Sequence, residues 1–129
     1  MAATHLFFNT EIGVKKPENI RNKNQSCPFC ERDKLTDIID TDGPIILLKN
    51  KYPVLENAFQ TVIIETDECS SELSLYSEEH LVRLFSFALK HWFAYQESGK
   101  FKSVIFFKNH GPLSGGSIAL SQRQIFCLN

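Results

Sequence analysis

Apolar and polar positions along the chain follow two periods. Residues 45–48 are a short, continuous apolar run between the turn Asp42-Gly43-Pro44 and the break at Tyr52-Pro53, the pattern of a buried strand. Residues 59–64 are rich in β-branched and aromatic side chains and predict a second strand. Residues 103–107 predict a third, and residues 117–126 a fourth beyond a glycine-rich turn. Between them, residues 77–98 carry the helical period. Leu81, Leu84, Phe85, Ala88, Leu89, Trp92 and Phe93 recur so as to form one apolar face. Ser77 suits the N-cap, Glu78 and Glu79 favour the positive end of the helix dipole, and Gly99 sits where a C-terminal cap belongs. Strands, one long helix, then strands predict an α+β fold built on an antiparallel sheet.

At 129 residues the chain suits a single domain, residues 1–129, with one core. Residues 9–26 are polar and rich in Asn and Lys, so residues 1–26 are expected to be a partly extended lead-in. A formal net charge of -1 argues against a nucleic-acid footprint or an anionic-membrane binder. No apolar run reaches the roughly 18 residues of a membrane span. Residues 1–10 lack the basic and apolar regions of a secretion signal, so a cytoplasmic protein is expected.

Chemistry enters with the cysteines. Cys27-Pro28-Phe29-Cys30 places two thiols in one tight turn, and Cys69 follows the second strand. Two thiolates at this spacing supply half of a tetrahedral zinc site, with Cys69 as a third ligand. A redox pair and two free thiols fit the same spacing, although no thioredoxin-like βαβ pattern surrounds it.

The other chemical segment is Phe107-Lys108-Asn109-His110-Gly111-Pro112-Leu113-Ser114-Gly115-Gly116-Ser117. A strand running into a turn rich in glycine and serine brings backbone N–H groups close to a phosphate, and Asn109 can hydrogen-bond a sugar or base. A tight hairpin that needs glycine accounts for the same residues. Of the histidines, His110 alone lies in a chemical segment. His80 and His91 fall at the ends of the helix, at its boundary with solvent, and His5 in the lead-in.

From Phe107 to Ile125 the chain resembles the signature of galactose-1-phosphate uridylyltransferases, a branch of the histidine-triad superfamily. That signature reads roughly Asn-x-Gly, a small-residue turn with Gly-x-Ser, then His-Pro-His-x-Gln-Ile. Upstream pieces follow in the same order. Cys27-Pro28-Phe29-Cys30 resembles the family's zinc pair, and Asn50-Lys51-Tyr52-Pro53-Val54-Leu55 its segment beside the nucleotide. Val62-Ile63-Ile64-Glu65-Thr66 leads to Cys69, where many members place a zinc-binding histidine. The lead-in Asn9-Thr10-Glu11-Ile12-Gly13 is similar to that of an uncharacterised bacterial branch. The resemblance implies a histidine-triad-like antiparallel half-barrel packed with one long helix and short helical segments. It implies zinc on Cys27, Cys30 and Cys69, and nucleotide contacts at Asn50, Asn109, Gly115, Ser117 and Gln124. It also implies a homodimer, and a chain that corresponds to the first of two similar halves.

One departure from the signature governs the functional expectation. The family's His-Pro-His falls on Leu120-Ser121-Gln122. Leu120 cannot ligate zinc, which leaves water, Cys127 or a partner chain for the fourth position. The second histidine would carry the nucleotidyl group, and Gln122 offers only a carboxamide, which is no nucleophile at neutral pH. Gln124-Ile125 stay in register beyond the gap, which favours in-frame substitution over a frameshift as the origin of the change. The expected function is therefore binding of a nucleotide or sugar nucleotide by a uridylyltransferase-like domain that has lost its nucleophile. Two alternatives stand beside it: an active nucleotidyltransferase or hydrolase using another group such as His110, and a zinc-stapled structural or interaction domain.

Overall fold

A computed structural model describes residues 8, 11, 32–51, 55–67, 75–108 and 122–129. Among them the chain forms a 3-10 turn at Arg32–Lys34, then strands β1 (Ile38–Asp42), β2 (Ile45–Lys49) and β3 (Ala58–Ile64). Helix α1 (Glu78–Glu97) and strands β4 (Ser103–Phe107) and β5 (Gln122–Leu128) complete it. All pairings are antiparallel, in the spatial order β1-β2-β3-β5-β4. The expected α+β fold, one antiparallel sheet with one long helix, is the observed one. β5 inserts between β3 and β4, so residues distant in sequence become neighbours at the sheet's centre.

β2 and β3 are apolar on both sides because each side meets a core. On the α1 side, Ile45, Leu47, Ile63, Ile125 and Cys127 pack with Leu84, Phe87, Ala88 and Val104. On the far side, Ile46, Leu48, Val62 and Ile64 form a second cluster, against which Leu35 packs. This two-sided burial explains the uninterrupted apolar runs, since a strand facing water on one side alternates instead.

Strand β1 was not legible in the sequence. It pairs with β2 through an irregularity between Ile38 and Asp40, and Ile38 and Ile39 remain exposed. The β1–β2 turn is the predicted Asp42-Gly43-Pro44 segment. Gly43 adopts φ +60°, which a side chain disfavours, and an added Cβ would lie 2.9 Å from the Arg83 guanidinium.

The helix runs as its caps predict. Ser77 accepts a hydrogen bond from His80 N at 3.1 Å, and Gly99 takes φ +71° just past the end. Its buried face differs from the predicted stripe. Leu84, Phe87 and Ala88 are buried, whereas Leu89 and Phe93 stay 42% and 52% exposed. The sheet covers one side of a broad apolar stripe and leaves the other open. β5 begins at Gln122 among the described residues, later than the predicted start at 117, and the intervening residues 117–121 lie outside them.

Candidate functional site

Strand alternation decides which residues share the far face of the sheet. Arg123, Ile125 and Cys127 point toward α1, so Gln122, Gln124 and Phe126 point away from it. Gln122 lies opposite Ile64, and Gln124 lies between Val62 and Phe107. Phe107 and Phe126 meet edge to face with centroids 4.9 Å apart, beside Gln124. Leu48 is opposite Val62, which puts Gln124 about 10 Å from β2, two strand spacings away.

Asn50 follows β2 directly, and its N–H donates to the Gln60 carbonyl at 2.9 Å. It lies two residues, about 7 Å, further along the strands than Leu48. Asn50 and the two glutamines of β5 therefore mark a diagonal across the far face, with Gln122 at one end and Asn50 at the other. Of the remaining predicted site residues, Asn109, Gly115 and Ser117 lie outside the described residues. So do Cys27, Cys30, Cys69, His110, Leu120 and Ser121. Among the described residues no group of three or more His, Cys, Asp or Glu side chains is placed to hold a metal ion.

Cys127, a candidate fourth zinc ligand, is a fully buried member of the α1-side core. Burial pushes its thiol up to about 11. Nearby Tyr95 is pushed up to about 12, by burial first and then by the charge that Cys127 would carry. Both groups are neutral at physiological pH.

Two polar features were not singled out in the sequence. Gln60 lies in the same row as Asn50 and is buried. Its Oε1 accepts from Leu55 N at 2.8 Å, while its Nε2 has no hydrogen-bond partner. Glu65, immediately after β3, is 0% exposed on the α1 side. Its Oε2 lies 3.2 Å from Lys108 Nζ and 3.5 Å from Arg123 Nε, and its Oε1 accepts from the Tyr76 hydroxyl at 3.1 Å. The Arg123 contact is an ion pair without hydrogen-bond geometry. The one available signal was a carboxylate directly after the apolar run Val62-Ile63-Ile64, since a charge there must be paired to be buried. Neither helix histidine faces the far side. His80 Nε2 meets the Glu65 carbonyl at 2.8 Å, and His91 Nε2 meets Asp40 Oδ2 at 2.8 Å.

The described residues contain no helix long and apolar enough to cross a membrane. Residues 8–129 match the family described as "Domain of unknown function (DUF4931) N-terminal domain". Among solved structures the chain is similar to a DUF4931 family protein from Bacillus cereus ATCC 10987. They are 50% identical with TM-score 0.68, over 71% of this chain and 42% of that one. It is similar in fold to ADP-glucose phosphorylase from Arabidopsis thaliana with bound ADP-glucose. That match is 20% identical with TM-score 0.69, over 98% of this chain and 49% of that one. A member of the HIT family of proteins from Bacillus subtilis matches at 16% identity and TM-score 0.66, over 78% of this chain and 72% of that one. The chain thus spans less than half the length of the first two. No curated protein matches.

Proposed function

The chain belongs to the DUF4931 N-terminal domain family, and we propose that it binds a nucleotide or sugar nucleotide on the far face of its sheet without forming a covalent intermediate. The observation that carries this reading is the placement of Gln122 and Gln124 on one face of β5, on a diagonal with Asn50. Amides at these positions donate to phosphate oxygens and hydroxyls. A nucleotidyl-enzyme intermediate needs a nucleophile whose nitrogen accepts phosphorus, and the amide at position 122 is not one. The phosphate end of the ligand is assigned to the Gln122 end and the nucleoside to Asn50. The fold shared with ADP-glucose phosphorylase, a protein solved with ADP-glucose bound, makes ADP-glucose a natural first ligand to test, with UDP-sugars beside it.

Two features complete the proposal. Cys27, Cys30 and Cys69 supply three soft thiolate donors, the set that zinc takes in structural sites within a reducing cytoplasm. The chain also pairs with a second copy. Exposed Val82, Leu89 and Phe93 on α1 support this, as does edge strand β4 with exposed Ile105.

Equilibrium dialysis with ADP-glucose and UDP-glucose, each radiolabelled in the nucleotide α-phosphate, tests both halves of the reading. The native chain retains label, and denaturation in alkali releases all of it. Alkali-stable, acid-labile label on the denatured chain would identify a phosphoramidate and an active transferase using another histidine such as His110.

A further inference from the structure

A carboxylate removed from water is strongly disfavoured unless cations and donors surround it. Glu65 satisfies this condition with residues from three separate places. Lys108 leaves the end of β4, Arg123 is the second residue of β5, and Tyr76 precedes α1. Its backbone carbonyl holds a fourth group. A carbonyl can only accept, so His80 Nε2 carries the proton in their 2.8 Å contact.

Arg123 has the most constrained setting of these partners. Its guanidinium carbon lies 4.9 Å from the Phe85 ring centroid and 5.7 Å from that of Phe106. A planar cation held by two rings and one carboxylate has little rotational freedom. Arg123 also sits between Gln122 and Gln124, whose side chains leave the strand on the opposite face. Fixing Arg123 on the α1 side therefore fixes the backbone from which both amides are aimed.

We infer that Glu65 is a positioning residue for the nucleotide site, acting through Arg123 from the opposite face of the sheet and never touching the ligand. This inference rests on the proposed binding of nucleotide at Gln122 and Gln124. Lys108 serves the same carboxylate as a second cation, 3.2 Å from Oε2, which helps to seat Glu65.

A double-mutant cycle read by calorimetric titration with ADP-glucose or UDP-glucose, whichever the wild type binds, tests it. The proteins are the wild type, Glu65→Gln, Gln124→Ala and the pair, all well below their melting temperatures. Glu65→Gln preserves side-chain volume. It is expected to weaken affinity about tenfold in protein that circular dichroism shows to be folded. Gln124→Ala should then cost little more in the Glu65→Gln background, because the amide is already misaligned. If Glu65→Gln does not fold, Arg123→Lys takes its place with the same expectation, since an ammonium keeps the charge and loses the planar stack. A lowered melting temperature with unchanged affinity, or additive losses in the cycle, would overturn the inference and leave the binding proposal standing. A wild type that binds neither sugar nucleotide would overturn both.

Discussion

The indole Nε1 of Trp92 donates to the main-chain carbonyl of Val104 at 2.9 Å, fastening α1 to the edge strand β4. The bond satisfies a strand carbonyl from above the sheet, and the ring packs on the α1-side core. Trp92→Ala removes both and is expected to cost about 3 kcal/mol in denaturant unfolding. Trp92→Phe keeps most of the packing and loses the hydrogen bond, so about 1 kcal/mol is expected. A loss below about 1 kcal/mol for the alanine variant would mean that the ring is not part of the core.

Asp40 on β1 gathers two groups from the helix, Lys90 Nζ at 3.0 Å and His91 Nε2 at 2.8 Å. The Lys90 hydrogen bond first, and the His91 bond second, hold its carboxyl at about 2, down from an ordinary 3.8. The folded state therefore binds the proton less readily than the unfolded one. The stability this provides is fully present above the ordinary value and is lost as pH falls through about 2. Asp40→Asn should destabilise the chain at pH 7 by less than about 1 kcal/mol, because the pair is partly open to solvent. The gap between variant and wild type should close as the titration enters the region between 3.8 and 2. A gap unchanged down to pH 2 would show that the carboxylate's charge is not what matters.

Cys127 is buried in the core that also holds Ile125, Leu84 and Phe87, and burial pushes its thiol up to about 11. Thiolate is the reactive form, so the folded chain should resist alkylation there at pH 8. Peptide mapping after brief iodoacetamide treatment should find Cys127 unmodified in native protein and fully modified after unfolding. Fast native labelling would place it outside the core.

The three remaining cysteines carry the metal proposal. Protein purified without chelator should contain about one zinc per chain, and its melting temperature should fall on chelation. Cys27→Ser should abolish the bound metal. A chain free of zinc that melts identically with and without chelator would leave these cysteines as ordinary thiols.

How much of this was legible in the sequence follows from how local each signal is. The helix was bounded correctly because Ser77 and Gly99 act within one turn of its ends. β2 and β3 were found because strands buried on two sides read as unbroken apolar runs. β1 was missed because Ile38–Asp42 is short and half polar, and it is a strand chiefly through its pairing with β2. Phe87 was missed, and Leu89 and Phe93 were assigned to the buried face, because periodicity outlines an apolar stripe without saying which part a sheet will cover. The Glu65, Lys108 and Arg123 cluster exists because β5 inserts beside β3, a topological fact with no local signature. For the candidate site, the family signature drew attention to Asn50, Gln122 and Gln124. Strand alternation puts the two glutamines on one face, and pairing register was needed to set Asn50 and Gln60 on it with them.

The central claim is that the far face binds nucleotide through amides standing where the family's signature carries its nucleophile and the glutamine after it. Calorimetric titration of the wild type and Gln124→Ala with ADP-glucose and UDP-glucose, taken to millimolar concentration, addresses it most directly. The account predicts saturable binding of at least one sugar nucleotide by the wild type, weakened about tenfold or more by Gln124→Ala, with no free nucleotide product accumulating in the cell. Absence of heat with both ligands, or equal affinity in the two proteins, would contradict it.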